Sequence, residues 1–388
     1  MSTPPQAVSP LNRSPRGGAK KSASQSPKSA PRSPVSPIAD LAAPIEVADD
    51  VDESDGGTLS DTSSLDGSVS LTSSLRSHVF ENGRRYHKYL DGQYNFPNDE
   101  KAQEREDMKH AIVVAAMDEK LHFAPISPNP QNCLDLGTGT GAWAVEMGEA
   151  YPSAAVEGVD LSPIQPTWVP PNVKFTVDDI EAPWLHPADH FDYVHARHGV
   201  EAFKDYPAVL KQAYKHLRPG GWMELQEFEY MPYADDDSMP PSYALREMLE
   251  LVTAGLRTMS IDLRRARPSS SSLSSSLSSS SSPSPSSLDA ALTAAGFEDV
   301  SVRQIKVPIG AWPKDAFLRN LGLCWQANIA AGLQGITLRP LGRGLGWETE
   351  RIEVFLAEVR RALADRAVHA YMNLFVFCGR KPVGEEGG

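Results

Sequence analysis

Three glycines at alternate positions, Gly137, Gly139 and Gly141, follow the short apolar run Cys133-Leu134-Asp135-Leu136. Glycine at such a strand end lets the backbone turn sharply and approach a ligand with no Cβ in the way. A helix expected from Ala142 to about Ala150 aims its unpaired amide groups at the same place. Asp160 stands 19 residues beyond Gly141, at the end of the apolar run that starts at Ala155. A doubly wound fold places its acceptor for two ribose hydroxyls at about that distance. A third expected strand, Val173 to Val177, ends in Asp178-Asp179-Ile180, where a carboxylate and an apolar side chain suit an adenine amino group and ring face. Three strand ends carrying a glycine turn, an acid and an acid pair describe a site for an adenosyl ligand. The Gly-x-Gly-x-Gly spacing differs from the Gly-x-Gly-x-x-Gly dinucleotide fingerprint, which disfavours NAD and favours S-adenosylmethionine (SAM). Asp135, Thr138 and Leu161 flank these positions and join Gly137, Gly139, Gly141, Asp160, Asp178, Asp179 and Ile180 as candidate cofactor contacts.

A sulfonium methyl is already activated, so transfer needs orientation and a site that deprotonates or desolvates the acceptor. No metal is required, and no Cys/His/Asp/Glu cluster has metal-ligand spacing. The expected fourth strand, Phe191 to His195, leads into Ala196-Arg197-His198-Gly199 at the sheet edge where open α/β folds bind ligands. Arg197 is a candidate for the methionine carboxylate or the substrate. His195, His198, Glu224 and Glu227 are candidate bases. His198 is preferred, because His195 and Glu224 are expected to point into the structure.

These groups need a scaffold. Structure is expected to begin near His78, with an aromatic segment (Tyr86, Tyr89, Tyr94) that either packs or folds over the site as a lid. Asn98-Asp99-Glu100 caps a helix running to about Lys120, with Met108, Ile112, Ala115 and Ala116 on its buried face. The proline-rich stretch from Ser162 to Pro171 excludes a long helix. A helix from about Tyr206 to Leu217 ends at the turn Arg218-Pro219-Gly220-Gly221, followed by a fifth strand, Trp222 to Glu229. A short helix to Ala295 with Gly296 as its cap, a strand from about Val300 to Val307, helices at about 313–331 and 349–364, and a last strand, Ala370 to Cys378, complete the pattern. The last two helices are expected to wall the acceptor pocket. Strands alternating with helices predict one doubly wound, mostly parallel sheet.

Outside this region the composition changes. Residues 1–39 carry six basic residues and no acid, and residues 40–66 carry nine acids and no base. Neither part has the apolar content to offset the entropy of ordering, so residues 1–78 are expected to be a disordered Ser/Pro-rich arm. Its five Ser-Pro pairs suit a proline-directed kinase or a plain spacer, and Lys20-Lys21 is a weak nuclear address. Fifteen of the 19 residues from Ser269 to Ser287 are serine, so a low-complexity insertion is expected at about 265–287. The catalytic domain is expected over 79–382, with a short tail at 383–388. A net charge of −13 and a pI near 5.3 argue against a direct nucleic-acid partner. No apolar run reaches the roughly 18 residues of a membrane span, and a secretory leader is absent, which suits a cytoplasmic or nuclear protein. Cys133, Cys324 and Cys378 lack disulfide or metal spacing and read as buried fillers in a reducing compartment.

Asp135 through Trp143, Asp160-Leu161-Ser162-Pro163-Ile164-Gln165-Pro166 through Val173, and Leu217 to Trp222 with Glu224-Leu225-Gln226-Glu227 resemble the fungal class I SAM-dependent methyltransferases of the LaeA-like group. The glycine loop marks only the superfamily, whereas the Asp-Leu-Ser-Pro-Ile-Gln-Pro run is specific to the group. The likeness extends from about Arg84 to Pro382 and is poorest around 264–287. It implies a Rossmann-like seven-stranded α/β sheet with flanking helices, SAM contacts at Gly137, Gly139 and Gly141, a ribose contact at Asp160 and an adenine-side contact at Asp178 or Asp179. Members are associated with fungal secondary metabolism, as pathway methyltransferases or as nuclear regulators acting with velvet-type proteins. Three readings follow: a methyltransferase with an unidentified small-molecule or protein acceptor, a regulator that binds SAM but acts mainly through partners, and, disfavoured by the spacing, an NAD oxidoreductase.

Overall fold

Apolar runs of five to seven residues, bounded by glycine, proline and aspartate, supply the strands that carry the site. A computed structural model describes residues 78–87, 92, 94–269 and 287–384. The expectations for residues 1–77, for Tyr89, for the serine tract over 270–286 and for residues 385–388 lie outside them. A hairpin of β1 (His78–Glu81) and β2 (Arg84–His87) leads to helix α1 (Glu100–Ala116). Then come β3 (Asn132–Leu136), α2 (Ala142–Ala150), β4 (Ala155–Asp160), β5 (Val173–Val177) and β6 (Phe191–Arg197). Helix α3 (Tyr206–His216), β7 (Leu217–Tyr233), α4 (Ala244–Thr258) and α5 (Leu288–Ala295) follow. The described chain closes with β8 (Glu298–Pro308), α6 (Ala316–Arg339), α7 (Thr349–Leu363) and β9 (Tyr371–Arg380).

The main sheet has the order β5-β4-β3-β6-β7-β9-β8. The first five strands are parallel, and β9 runs antiparallel to both β7 and β8. This is the Rossmann-like class I methyltransferase architecture. Strand β3 has β4 on one side and β6 on the other, so chain direction across the sheet reverses there, and a crevice opens at the carboxyl ends of the strands. Leu134, Leu136, Val194, Leu225 and Val376 are buried, as expected of strands covered on both faces.

Several expectations hold closely. Asp99 caps α1 by accepting from the Ala102 amide, and no helix forms between β4 and β5. Gly296 ends α5 in the left-handed region at φ +103°. Others need correction. Helix α1 stops at Ala116, and Met108 is exposed, while Lys109 takes the buried face beside Ile112 and Val113. The run Arg218-Pro219-Gly220-Gly221 is no free turn but the irregular start of β7, where Gly220 N donates to Lys381 O over 2.8 Å. Helix α6 extends to Arg339, and α4 was absent from the sequence reading. Cys133 and Cys378 are buried, but Cys324 is exposed on α6.

The hairpin is pinned to the end of α6. Glu81 accepts from Arg339 Nε at 2.9 Å and from Arg343, and the Arg339 guanidinium lies 3.5 Å from the centre of the Tyr86 ring. Tyr86 is therefore a fully buried packing residue, not part of a lid. Tyr94 does reach over the crevice.

Candidate active site

The glycine loop leaves β3 with Gly137, Gly139 and Gly141 all at positive φ. Gly137 N and Thr138 N both donate to Val159 O, which folds the loop back across β4. A Cβ on Gly139 would meet nothing within 4 Å, so this backbone borders open space. Gly141 differs: a Cβ there would sit 2.4 Å from the Phe175 ring. It closes the helix onto β5 and does not line the cavity, which corrects its expected role as a contact.

That cavity has a volume of about 170 Å³ and lies over the carboxyl ends of β3, β4 and β6. Asp135, Gly137, Thr138, Gly139, Asp160, Leu161, Asp179, Ile180, Arg197 and His198 all line it. Asp178 does not; it is exposed and accepts from the Asp179 amide at its own turn. Of the two acids, Asp179 is the one that lines the cavity.

Asp160 sits at the tip of β4 with Oδ2 accepting from Gly139 N at 2.9 Å and Oδ1 from Ser162 N at 2.8 Å. Burial pushes its carboxyl up to about 6, against the two amide hydrogen bonds that lower it. Asp135 is fully engaged: Oδ2 accepts from Thr138 Oγ1 at 2.6 Å, and Oδ1 lies 2.7 Å from His195 Nδ1. In a neutral ring that donates from Nδ1, Nε2 is the lone-pair nitrogen. The imidazole is stacked 3.9 Å from Trp143, and Nε2 is buried with no partner among the described residues. His195 thus lines the cavity, contrary to the expectation that it points inward.

Arg197 donates from Nε to Gln226 at 2.8 Å and from Nη1 to His110 Nδ1 at 2.8 Å, while Nη2 is buried and unpartnered among the described residues. Burial draws the guanidinium down to about 10, which leaves it charged at neutral pH. His198 adopts a left-handed backbone, φ +58°, after β6. Its ring lies parallel to Phe228 (5.8 Å, 9°), which is stacked on Trp325 of α6 (4.3 Å, 12°). Both its ring nitrogens are shielded and have no partner among the described residues. Burial, then Lys109 and Arg197, hold its pKa well below the usual histidine range.

The two glutamates named as bases are elsewhere. Glu224 is fully buried and accepts from Phe123 N, Ala124 N and Gln226 Nε2, tying the loop after α1 to β7. Glu227 accepts from Tyr206 at 2.9 Å and from Val200 N at 3.3 Å beneath the turn after β6. Neither lines the cavity, and neither do α6 and α7, which pack on α1, β8 and each other. The wall opposite β6 comes instead from Tyr94, Asn98 and α1: Gln103, Glu106, Lys109 and His110. Lys109 bridges Glu106 (2.8 Å) and Glu201 (3.4 Å). The sequence reading passed over Gln103, Glu106, Lys109 and His110, although a lysine one position from the expected apolar face of a helix was a signal.

The methyltransferase-domain family matches residues 105–302. Methyltransferase pytC of Aspergillus terreus is 37% identical over 318 residues, covering 81% of this chain and 91% of the relative. The chain belongs to the LaeA-like fungal methyltransferases. Secondary metabolism regulator LAE1 of Cochliobolus heterostrophus is 32% identical over 79% of this chain and 95% of its own length. The protein-methionine methyltransferase laeA of Emericella nidulans is 34% identical over 78% and 76% respectively. The chain is a SAM-dependent methyltransferase. No helix among the described residues is long and apolar enough to cross a membrane.

Proposed function

We propose that the cavity holds SAM with its adenine beside Asp179, Ile180 and Leu161, its ribose on Asp160 and its amino-acid end against Asp135, His195 and Arg197. The observation that carries this is a pair of buried, unpartnered atoms of complementary kind, His195 Nε2 and Arg197 Nη2, in one cavity with an open glycine cradle. A lone pair accepts from an ammonium and a guanidinium N–H donates to a carboxylate, so the two suit an α-amino acid head group. Bound SAM supplies a methyl group activated by its sulfonium.

The residues of the chain then bind, orient and exclude water. Tyr94 and α1 roof the cavity, and the stack of Phe228 and Trp325 fixes the plane of the His198 ring. His198 orients the acceptor and is a poor proton acceptor, since Lys109 and Arg197 oppose a further positive charge there. The acceptor belongs to fungal secondary metabolism, as for a pathway methyltransferase. Purified chain incubated with methyl-labelled SAM and extract of the source organism should transfer label to an extractable product. Absence of transfer at full SAM occupancy contradicts the reading.

A second reading is favoured by the regulator name of the Cochliobolus heterostrophus relative: SAM binding serves nuclear regulation through velvet-type partners, engaged by the arm over residues 1–78. A variant that binds SAM but transfers no methyl group discriminates. If it restores metabolite production in a deletion strain, the regulatory reading stands and the catalytic one falls.

A further inference from the structure

Every carboxylate that lines the cavity already has a protein donor. Glu106 and Glu201 hold Lys109, and Glu106 also pairs with Arg105 while Glu201 accepts from Tyr230. Asp135, Asp160, Asp179 and Glu181 accept from Thr138, Gly139, Glu181 N and Asp205 N. The buried cavity atoms without a partner are, among the described residues, mostly nitrogens: His195 Nε2, Arg197 Nη2 and both ring nitrogens of His198, with His110 Nε2 3.1 Å from Glu146. The exception is the Asn98 amide oxygen, whose Nδ2 donates to Ser162 across the rim. An ammonium guest would find no free carboxylate. An ionised oxygen would find on His198 an N–H donor that has no partner among the described residues.

Resting on the methyltransferase reading, we infer that the acceptor is a small oxygen acid, a carboxylic acid or acidic enol, which binds as its anion with His198 donating a hydrogen bond to the oxygen that is methylated. The anion needs no base. Its oxygen lone pair forms the O–C bond as the C–S bond breaks, the electron pair goes to sulfur, and the sulfonium becomes the neutral thioether of S-adenosylhomocysteine. No proton is released in this step, so the low basicity of His198 is no obstacle to it. A buried anion that accepts from this N–H is favoured over a second buried cation for which every lining carboxylate is already engaged.

The test uses the full chain at pH 7.5. Titration with S-adenosylhomocysteine comes first, and the saturated protein is then titrated with benzoate, methyl benzoate and benzylamine. Benzoate is expected to bind at least tenfold more tightly than either of the others. His198→Gly, which relieves the left-handed backbone as it removes the ring, should abolish the preference and keep the S-adenosylhomocysteine affinity within threefold. His198→Asn, which tolerates that backbone and keeps a donor, should retain part of the preference. Equal binding of benzylamine or the ester, or benzoate binding unaffected in His198→Gly, overturns the acceptor class alone. Failure to bind S-adenosylhomocysteine overturns the methyltransferase reading with it.

Discussion

Arg197 and Asp160 carry the clearest consequences of single side chains. Loss of the Arg197 guanidinium removes a charge-assisted partner for the donor's carboxylate, worth about 1.5–3 kcal/mol. Arg197→Met should therefore weaken SAM binding about ten- to a hundredfold, read by titration, and an unchanged Kd removes Arg197 from the site. Asp160 has a folded pKa raised by burial from 3.8 to about 6, so below about 6 its carboxyl is protonated and accepts ribose hydroxyls less well. SAM affinity should fall as pH drops from 7 to 5, up to tenfold per unit, and Asp160→Asn should show a weak, flat profile. The acid tips and Arg197 were legible because a loop at a strand end exposes its side chains by topology. The role of His195 was hidden, because its facing depends on Asp135 and Trp143 from other elements. The low basicity of His198 was hidden for a similar reason: it comes from burial first and then from Lys109 and Arg197, and Lys109 stands on α1.

Among elements, the turn from β3 into α2 shows how packing divides glycines that look alike. Gly141→Ala forces a methyl into the Phe175 ring from a backbone at φ +85°, and should cost about 1–3 kcal/mol in denaturant unfolding. Gly139→Ala meets only open space and backbone strain, so it should lower SAM affinity more than stability; the reverse ranking contradicts this division. Beneath the turn after β6, burial pushes Glu227 up to about 8, with Glu201 adding to it. The folded state holds a proton on Glu227 between pH 4.5 and 8 that the unfolded chain releases, so stability should decline as pH rises through that window. Glu227→Gln should flatten the decline in melting temperature from pH 5 to 8, and an unaltered slope would remove Glu227 as its source. The strands around the crevice were legible from short apolar runs and their polar ends. Helix α4 and the full length of α6 were not, because their buried faces are defined by each other and by the sheet.

At the scale of the molecule, the chain divides into a methyltransferase domain and flanking sequence of very different composition. Ion pairs of Glu81 with Arg339 and Arg343 tie the first described strand to the end of α6 and the turn after it. Removal of residues 1–77 should leave the melting temperature and SAM affinity of the remainder unchanged within twofold, and a large loss of either contradicts the proposed boundary. The seven-stranded order was foreseeable from the alternation of elements together with the family resemblance. The α1 wall of the cavity was not, since it depends on α1 folding over strand ends far away in sequence. The central claim is that a glycine cradle, two acid tips and the His195–Arg197 pair form one site for an adenosylated amino acid. Calorimetric titration of the purified chain with SAM, S-adenosylhomocysteine and NAD tests it most directly. One site for each of the first two and no heat from NAD is the predicted result; silence towards SAM at millimolar concentration, or saturable binding of NAD, would contradict it.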